Sequence, residues 1–192
     1  MKQKIYRLCL GIIIFLCLIL ITFENVGGVH AKVTSTDVSS NVSIAKSLAI
    51  EFSSGLSEGI LFGDINFLPA TNVNASHNYD GPSNSTNLYI NVSTDGNSAV
   101  DFCIMGNSGL INAGGDEIGL GNETYSYYNM SNITRPTLNE FSLTQIYTKS
   151  GENIPLGGAN YWRFWLDVPA GQPSGNYNNT VFFKAVETSA SC

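Results

Sequence analysis

The chain has 192 residues, 9 basic and 15 acidic side chains, a net charge of −6 at neutral pH, and only 12% charged residues. So acidic a balance gives nucleic acid no electrostatic footprint and anionic lipid no charge-driven attraction. The length fits a single domain.

The chain opens on Lys2, Lys4 and Arg7, followed by an apolar run of sixteen residues from 8 to 23. Glu24-Asn25-Val26-Gly27-Gly28 breaks the run, and Val29-His30-Ala31 sets small or medium residues at −3 and −1 of a cleavage site. This is the anatomy of a secretory signal peptide, expected as a signal helix over 1–31 and cleaved after Ala31. The competing reading is a retained membrane anchor, for which sixteen residues fall short of the roughly 20 a span needs. Cleavage removes three basic residues and one acidic one, leaving 161 residues with 6 basic and 14 acidic groups, net −8. The protein is therefore expected to be secreted or on the cell surface, touching membrane only through an uncleaved leader. Residues 32–41, KVTSTDVSSN, carry no large apolar side chain. They read as a polar extension, either a disordered start or a strand that finds its partner sheet on another molecule.

From residue 42 the pattern is period 2, with no sustained helical periodicity. Val42, Ile44, Lys46, Leu48, Ile50 and Phe52 alternate with mostly smaller or polar residues. Leu88, Ile90 and Val92 form a second run, and Val100, Phe102 and Ile104 a third. Phe141 and Leu143 start a strand towards Tyr147. Trp162, Phe164, Leu166 and Val168 face one way, with Arg163, Trp165 and Asp167 opposite, where Trp165 is either an exposed contact or a second packing face. Tyr177, Val181, Phe183 and Ala185 share one side of a last strand over 177–186. Turn signals separate these runs: Tyr79-Asp80-Gly81-Pro82, Asp95-Gly96, Gly114-Gly115-Asp116, Gly157-Gly158 and Pro169-Ala170-Gly171. Asp95-Gly96 predicts a hairpin between the second and third runs, and 53–59 could hold a helical turn. Seven to nine strands predict an all-β domain over 42–192, an antiparallel sandwich of jelly-roll or immunoglobulin-like type.

Catalytic groups are scarce, and no enzymatic activity is expected. The exported chain keeps one histidine, His77, in a polar loop, so an HExxH or His-rich zinc site is excluded. No G-x-S-x-G elbow, P-loop or dinucleotide fingerprint occurs. A hydrolase would have to recruit carboxylates such as Asp167 and Glu187. No cofactor is predicted. The one metal whose chemistry suits the residues is calcium, through the loop acids Asp80, Asp95, Asp116, Glu117 and Glu123, none in an EF-hand pattern. The cluster Tyr125-Ser126-Tyr127-Tyr128 reads as sandwich packing or as a platform for sugars. A glycan- or calcium-binding module is thus the alternative to a structural protein. N-x-S/T acceptors stand at Asn41, Asn74, Asn84, Asn91, Asn122, Asn129, Asn132 and Asn178, candidate glycosylation sites that each require surface exposure. Cys103 and Cys192 remain once the leader is gone. Outside the cell they can pair, closing a loop that stabilises by about 4 kcal/mol in the chain-entropy model. The other reading is a free core thiol and a frayed terminal residue.

The segment from 165 to 181 reads W-x-x-V-P-x-G-x-P-x-G-x-Y-x-x-T-V, and residues 54–63 read SGLSEGILFG. Both resemble segments of exported archaeal β-sandwich surface proteins, similar in style to bundling-pilin and camelysin-like filament subunits. The G-x-Y-x-x-T-V ending is also similar to the last strand of spore-coat-U-type and fimbrial domains. The resemblance implies a glycosylated surface protein whose partners are itself or other surface proteins. In filament members it implies polymerisation by inserting an N-terminal strand into the next subunit, which would make residues 32–41 the donor.

Overall fold

A computed structural model describes residues 41–79, 85–138 and 141–192. The leader at 1–31, the extension from 32 to 40, Asp80 and Asn84 lie outside the described residues. The chain divides into two compact units, Met1–Ser43 and Ile44–Cys192. The described part of the first, residues 41–43, is exposed and forms no strand. Among the described residues no helix is long and apolar enough to cross a membrane.

The second unit is all-β. Its elements are β1 (Ile50–Phe52), α1 (Ser54–Glu58), β2 (Ala70–Asn74), β3 (Tyr89–Val92), β4 (Val100–Gly106), β5 (Leu110–Ile111), β6 (Glu117–Ile118), β7 (Glu123–Tyr128), β8 (Phe141–Ser142), β9 (Thr148–Ile154), β10 (Ala159–Val168) and β11 (Val181–Glu187). A 3-10 turn at Leu120–Asn122 leads into β7. Eleven strands thus stand among the described residues against the expected seven to nine. Among the strands that no alternating run marked, β5 and β6 are two-residue ladders too short for alternation to reveal. Ser53 caps α1, its hydroxyl accepting from the Leu56 N–H at 3.2 Å, as N-cap serines do.

One sheet runs β1-β3-β10-β7-β8 with β2 also bonded to β10; a second runs β11-β4-β9; β5 and β6 form a separate ribbon. All pairings are antiparallel. The two sheets enclose one core. Leu88, Ile90, Val92, Tyr125, Trp162 and Phe164 come from the larger sheet and its margins, and Val100, Phe102, Ile104 and Ile154 from the smaller. Phe102 and Phe183 both meet Trp162 edge-on, at centroid distances of 5.5 and 5.0 Å. Such contacts are worth about 0.5–1.5 kcal/mol beyond the area they bury. Leu110 and Ile118 of the β5–β6 ribbon cover Leu166 and Val168, extending the core past the end of the smaller sheet.

Four expectations need correction. The alternating run from 42 to 52 forms a strand only at its last three residues, and Val42 and Ile44 are about 80% exposed. Upstream of β1 the backbone is held by a turn instead: the Asn97 carboxamide accepts from Ser47 N and donates to Ala45 O. Alternation says which side chains a strand would bury, but only a neighbouring backbone makes the strand. Second, Asp95-Gly96 does not close a hairpin, since β3 and β4 lie in opposite sheets. Both strands turn their apolar side chains into the same core, so the connection crosses over the end of the sandwich. Third, pairing in the last strand starts at Val181 rather than 177. Asn178 exchanges backbone bonds with Ile111, while Thr180 N donates to the Asn107 side-chain oxygen and Thr180 O accepts from Asn107 N, both partners outside the smaller sheet. The strand expected from 141 likewise stops at Ser142, and the next begins at Thr148.

β10 is buried on both faces. Trp165 is 2% exposed, so it packs a second face and is no surface contact. Beside it the Arg163 guanidinium donates to Pro136 O and Asn132 O and lies 4.7 Å from the Tyr79 ring centroid. The loop at 131–136 therefore closes over the outer side of the larger sheet.

Candidate functional site

The smaller sheet ends in β11, a seven-residue strand that pairs with β4 on one side and with no strand on the other among the described residues. An unpaired strand edge offers a row of backbone donors and acceptors, which makes it a template for another strand. Across the opening from β11 lie β1 and α1. Between them is an apolar cleft of about 270 Å³, lined by Phe52, Leu56, Ile60, Val181 and Phe183, with Asn179 at its polar end. Phe52 and Phe183 meet edge-on across it at 6.2 Å. Phe52 is 49% exposed, and Phe182, on the other side of β11, is 39% exposed. The cleft thus combines an open strand edge with apolar side chains at alternate positions.

The approach to β11 is latched by polar groups. Asn179 donates from Nδ2 to Glu123 Oε2 at 2.7 Å and to Ser108 O at 3.3 Å. Glu123 begins β7 opposite Leu166 and is 1% exposed. Burial pushes its carboxyl up to about 7, against the opposing effect of the Asn179 hydrogen bond.

The other face of β4 is closed by the end of the chain. Cys103 and Cys192 form a disulfide with a Cα–Cα distance of 5.8 Å, within the normal range for such bridges. Lys184 Nζ donates to Cys192 O at 2.8 Å. Asp101, two residues before Cys103 on the same face, accepts from Asn153 N at 2.7 Å, Lys149 Nζ at 2.8 Å and Ser189 N at 2.9 Å. Burial alone would raise its pKa; the three hydrogen bonds and the Lys149 charge outweigh that and hold the carboxyl below its usual range.

Of the candidate acceptors, Asn41, Asn74, Asn129, Asn132 and Asn178 are exposed, whereas Asn91 in β3 and Asn122 in the 3-10 turn are half-buried. Asn132 Oδ1 accepts from the Thr134 N–H and hydroxyl of its own acceptor triplet. The acids considered for calcium are dispersed. Asp95 sits in the β3–β4 connection, Asp116 accepts from the Asn112 amide, Glu117 is in a strand, and Glu123 is a buried strand residue rather than a loop ligand. No three His, Cys, Asp or Glu side chains cluster among the described residues. Asp167 accepts from Asn72 N on the larger sheet, and Glu187 pairs with Lys46 at the end of the smaller one. His77 contacts Glu58 at 2.9 Å. Tyr125 is core, Tyr127 stacks on Phe141, and Arg135 lies 4.7 Å from the Tyr128 ring centroid, so the tyrosine cluster is engaged in packing.

Sequence reasoning missed Asn78. Its carboxamide is fully buried, donating to Phe164 O at 2.6 Å and accepting from Phe164 N at 2.9 Å. It fills the gap along β10 between β3 and β2 as a neighbouring strand would. Nothing in a lone Asn within a polar loop signals that role. Comparison of the chain with family models, curated proteins and solved structures found no match.

Proposed function

We propose that this chain is an exported, N-glycosylated structural or adhesive protein of the cell surface, a filament subunit that assembles by strand donation. The supporting observation is the open side of the sandwich: an unpaired β11 edge beside an apolar cleft. In strand addition, backbone bonds along a sheet edge supply affinity and pockets for alternate side chains supply register. The donor in this reading is the 32–41 extension of a neighbouring copy. The acidic surface and the exposed sequons fit a coated protein outside the cell, and the Cys103–Cys192 bond fits an oxidising compartment.

Size-exclusion chromatography and negative-stain microscopy test this on the chain without its leader. Concentration-dependent oligomers or fibres are expected. Deleting 32–41 should leave monomers, and a synthetic peptide of those residues should cap the assembly. A species that stays monomeric at high concentration overturns the polymer reading.

A further inference from the structure

We propose that Glu123 and Asn179 form a proton-controlled latch on the β11 cleft, which is closed when Glu123 carries a proton and loosens when it ionises. The inference stands on the cleft's own geometry, whether or not a neighbour's strand occupies it.

Besides the Asn179 Nδ2 bond to Ser108 O at 3.3 Å, three ties hold the 178–180 segment as it leads into β11. Asn178 exchanges backbone bonds with Ile111 at 2.9 and 3.2 Å, and Thr180 exchanges bonds with Asn107 at 2.8 and 3.0 Å. Both reach the 107–111 stretch that follows β4, on the same side of the sandwich as β11. The third tie, Asn179 to Glu123, is the one that reaches the larger sheet. Asn179, Thr180, Val181 and Phe183 also line the cleft. The carboxyl therefore sits at the joint between the two sheets, one residue from the cleft wall.

The surroundings of Glu123 offer little to a negative charge. β10 presents Leu166 opposite it. The 141–143 stretch meets it through Leu143 N, which donates to the Glu123 backbone carbonyl. Residues 107–108 and 178–180 bring amides and hydroxyls, and the 3-10 turn carries no charged residue. The β5–β6 ribbon carries Asp116, held by Asn112, and Glu117, both acids. No cation is among the causes of the Glu123 shift, and one amide hydrogen bond is the favourable contact the charged form has. Burying an ionised carboxylate with so little compensation is costly. The least disruptive relief is to part Asn179 from Glu123 and admit water. That swings 178–180 away from the larger sheet and widens the cleft. The raised pKa places this change near neutrality.

The test follows binding of the apolar dye anilinonaphthalene sulfonate, with hydrogen exchange of amides 179–187 corrected for intrinsic rates, from pH 5 to 9. Both should rise severalfold through about pH 7 in the native chain and stay flat in Glu123→Gln, which keeps the acceptor and cannot ionise. Asn179→Ser should bind dye at all pH values. Carbon-13 titration of the Glu123 carboxyl in the unmodified protein stands apart from any folding defect of the variants. A midpoint near the ordinary value of 4.5, or a dye profile in Glu123→Gln that still rises with pH, overturns the proposal.

Discussion

A few buried polar side chains replace strand pairings that the backbone does not make. Asn78 is the clearest case. Without its carboxamide, the Phe164 N–H at the centre of β10 has no partner, while Phe164 O keeps Ala75 N at 3.1 Å. An orphaned buried donor costs about 1–3 kcal/mol. Asn78→Ala should lower unfolding free energy by about that amount in urea titration, and Asn78→Asp should not rescue it, since its carboxylate could accept from Phe164 N but would be a buried charge facing Phe164 O with no cation beside it. A loss under 0.5 kcal/mol would contradict the role given to this residue. Whether a side chain stands in for a strand depends on where two distant segments leave a gap. A loop sequence such as Asn74-Ala75-Ser76-His77-Asn78 carries no trace of that.

Among the elements, β4 and β10 are strands covered on both faces, and each was legible for its inner face only. Val100, Phe102, Ile104 and Trp162, Phe164 alternate as one-sided strands should, and the core holds them. The outer faces are covered by irregular segments: the chain end over β4, the 131–136 loop over β10. Their contacts come from single residues such as Asp101, Cys103 and Arg163, which alternation marks merely as outward. β9, reading Thr-Lys-Ser-Gly-Glu-Asn-Ile, and β2 escaped sequence reasoning because polar edge strands lack a periodic signal. The candidate cleft was legible only in its parts: Phe52 and Phe183 are plain core-type residues in sequence, and the gap between them arises from pairing order. The tail over β4 makes its own prediction. Reduction of Cys103–Cys192 frees a loop of 89 residues, a loss of about 4 kcal/mol in the chain-entropy model. Calorimetry with and without reductant should show a clear fall in Tm. Asp101→Ala under oxidising conditions should produce a further, smaller fall, because Ser189 and Asn153 lose their acceptor.

For the whole molecule, two buried carboxyls act on stability in opposite senses. Asp101 has a folded-state pKa below 3.8, so its contribution is present above that value and is lost as pH falls through the depressed pKa. Glu123 has a folded-state pKa of about 7 against 4.5, so its contribution is full below 4.5 and is lost as pH rises through about 7. Stability should therefore peak in mildly acidic solution, at about pH 4–5, and decline by about 3 kcal/mol towards pH 8 from Glu123 alone. Tm measured across pH 2–9 checks this. Glu123→Gln should flatten the alkaline limb and leave the acidic one, whereas Asp101→Asn should do the reverse.

The disulfide between Cys103 and Cys192 also decides how the fold would carry load. A pull on Cys192 passes through the sulfur bridge directly into the middle of β4 and bypasses β11. Everything from β5 to β11 lies inside the closed loop and stays slack while the bond lasts. Extension can come only from residues before Cys103, at about 3.6 Å for each one released. Under a pull between the two ends of the chain, β11 and its open edge thus lie outside the covalent path that carries the tension.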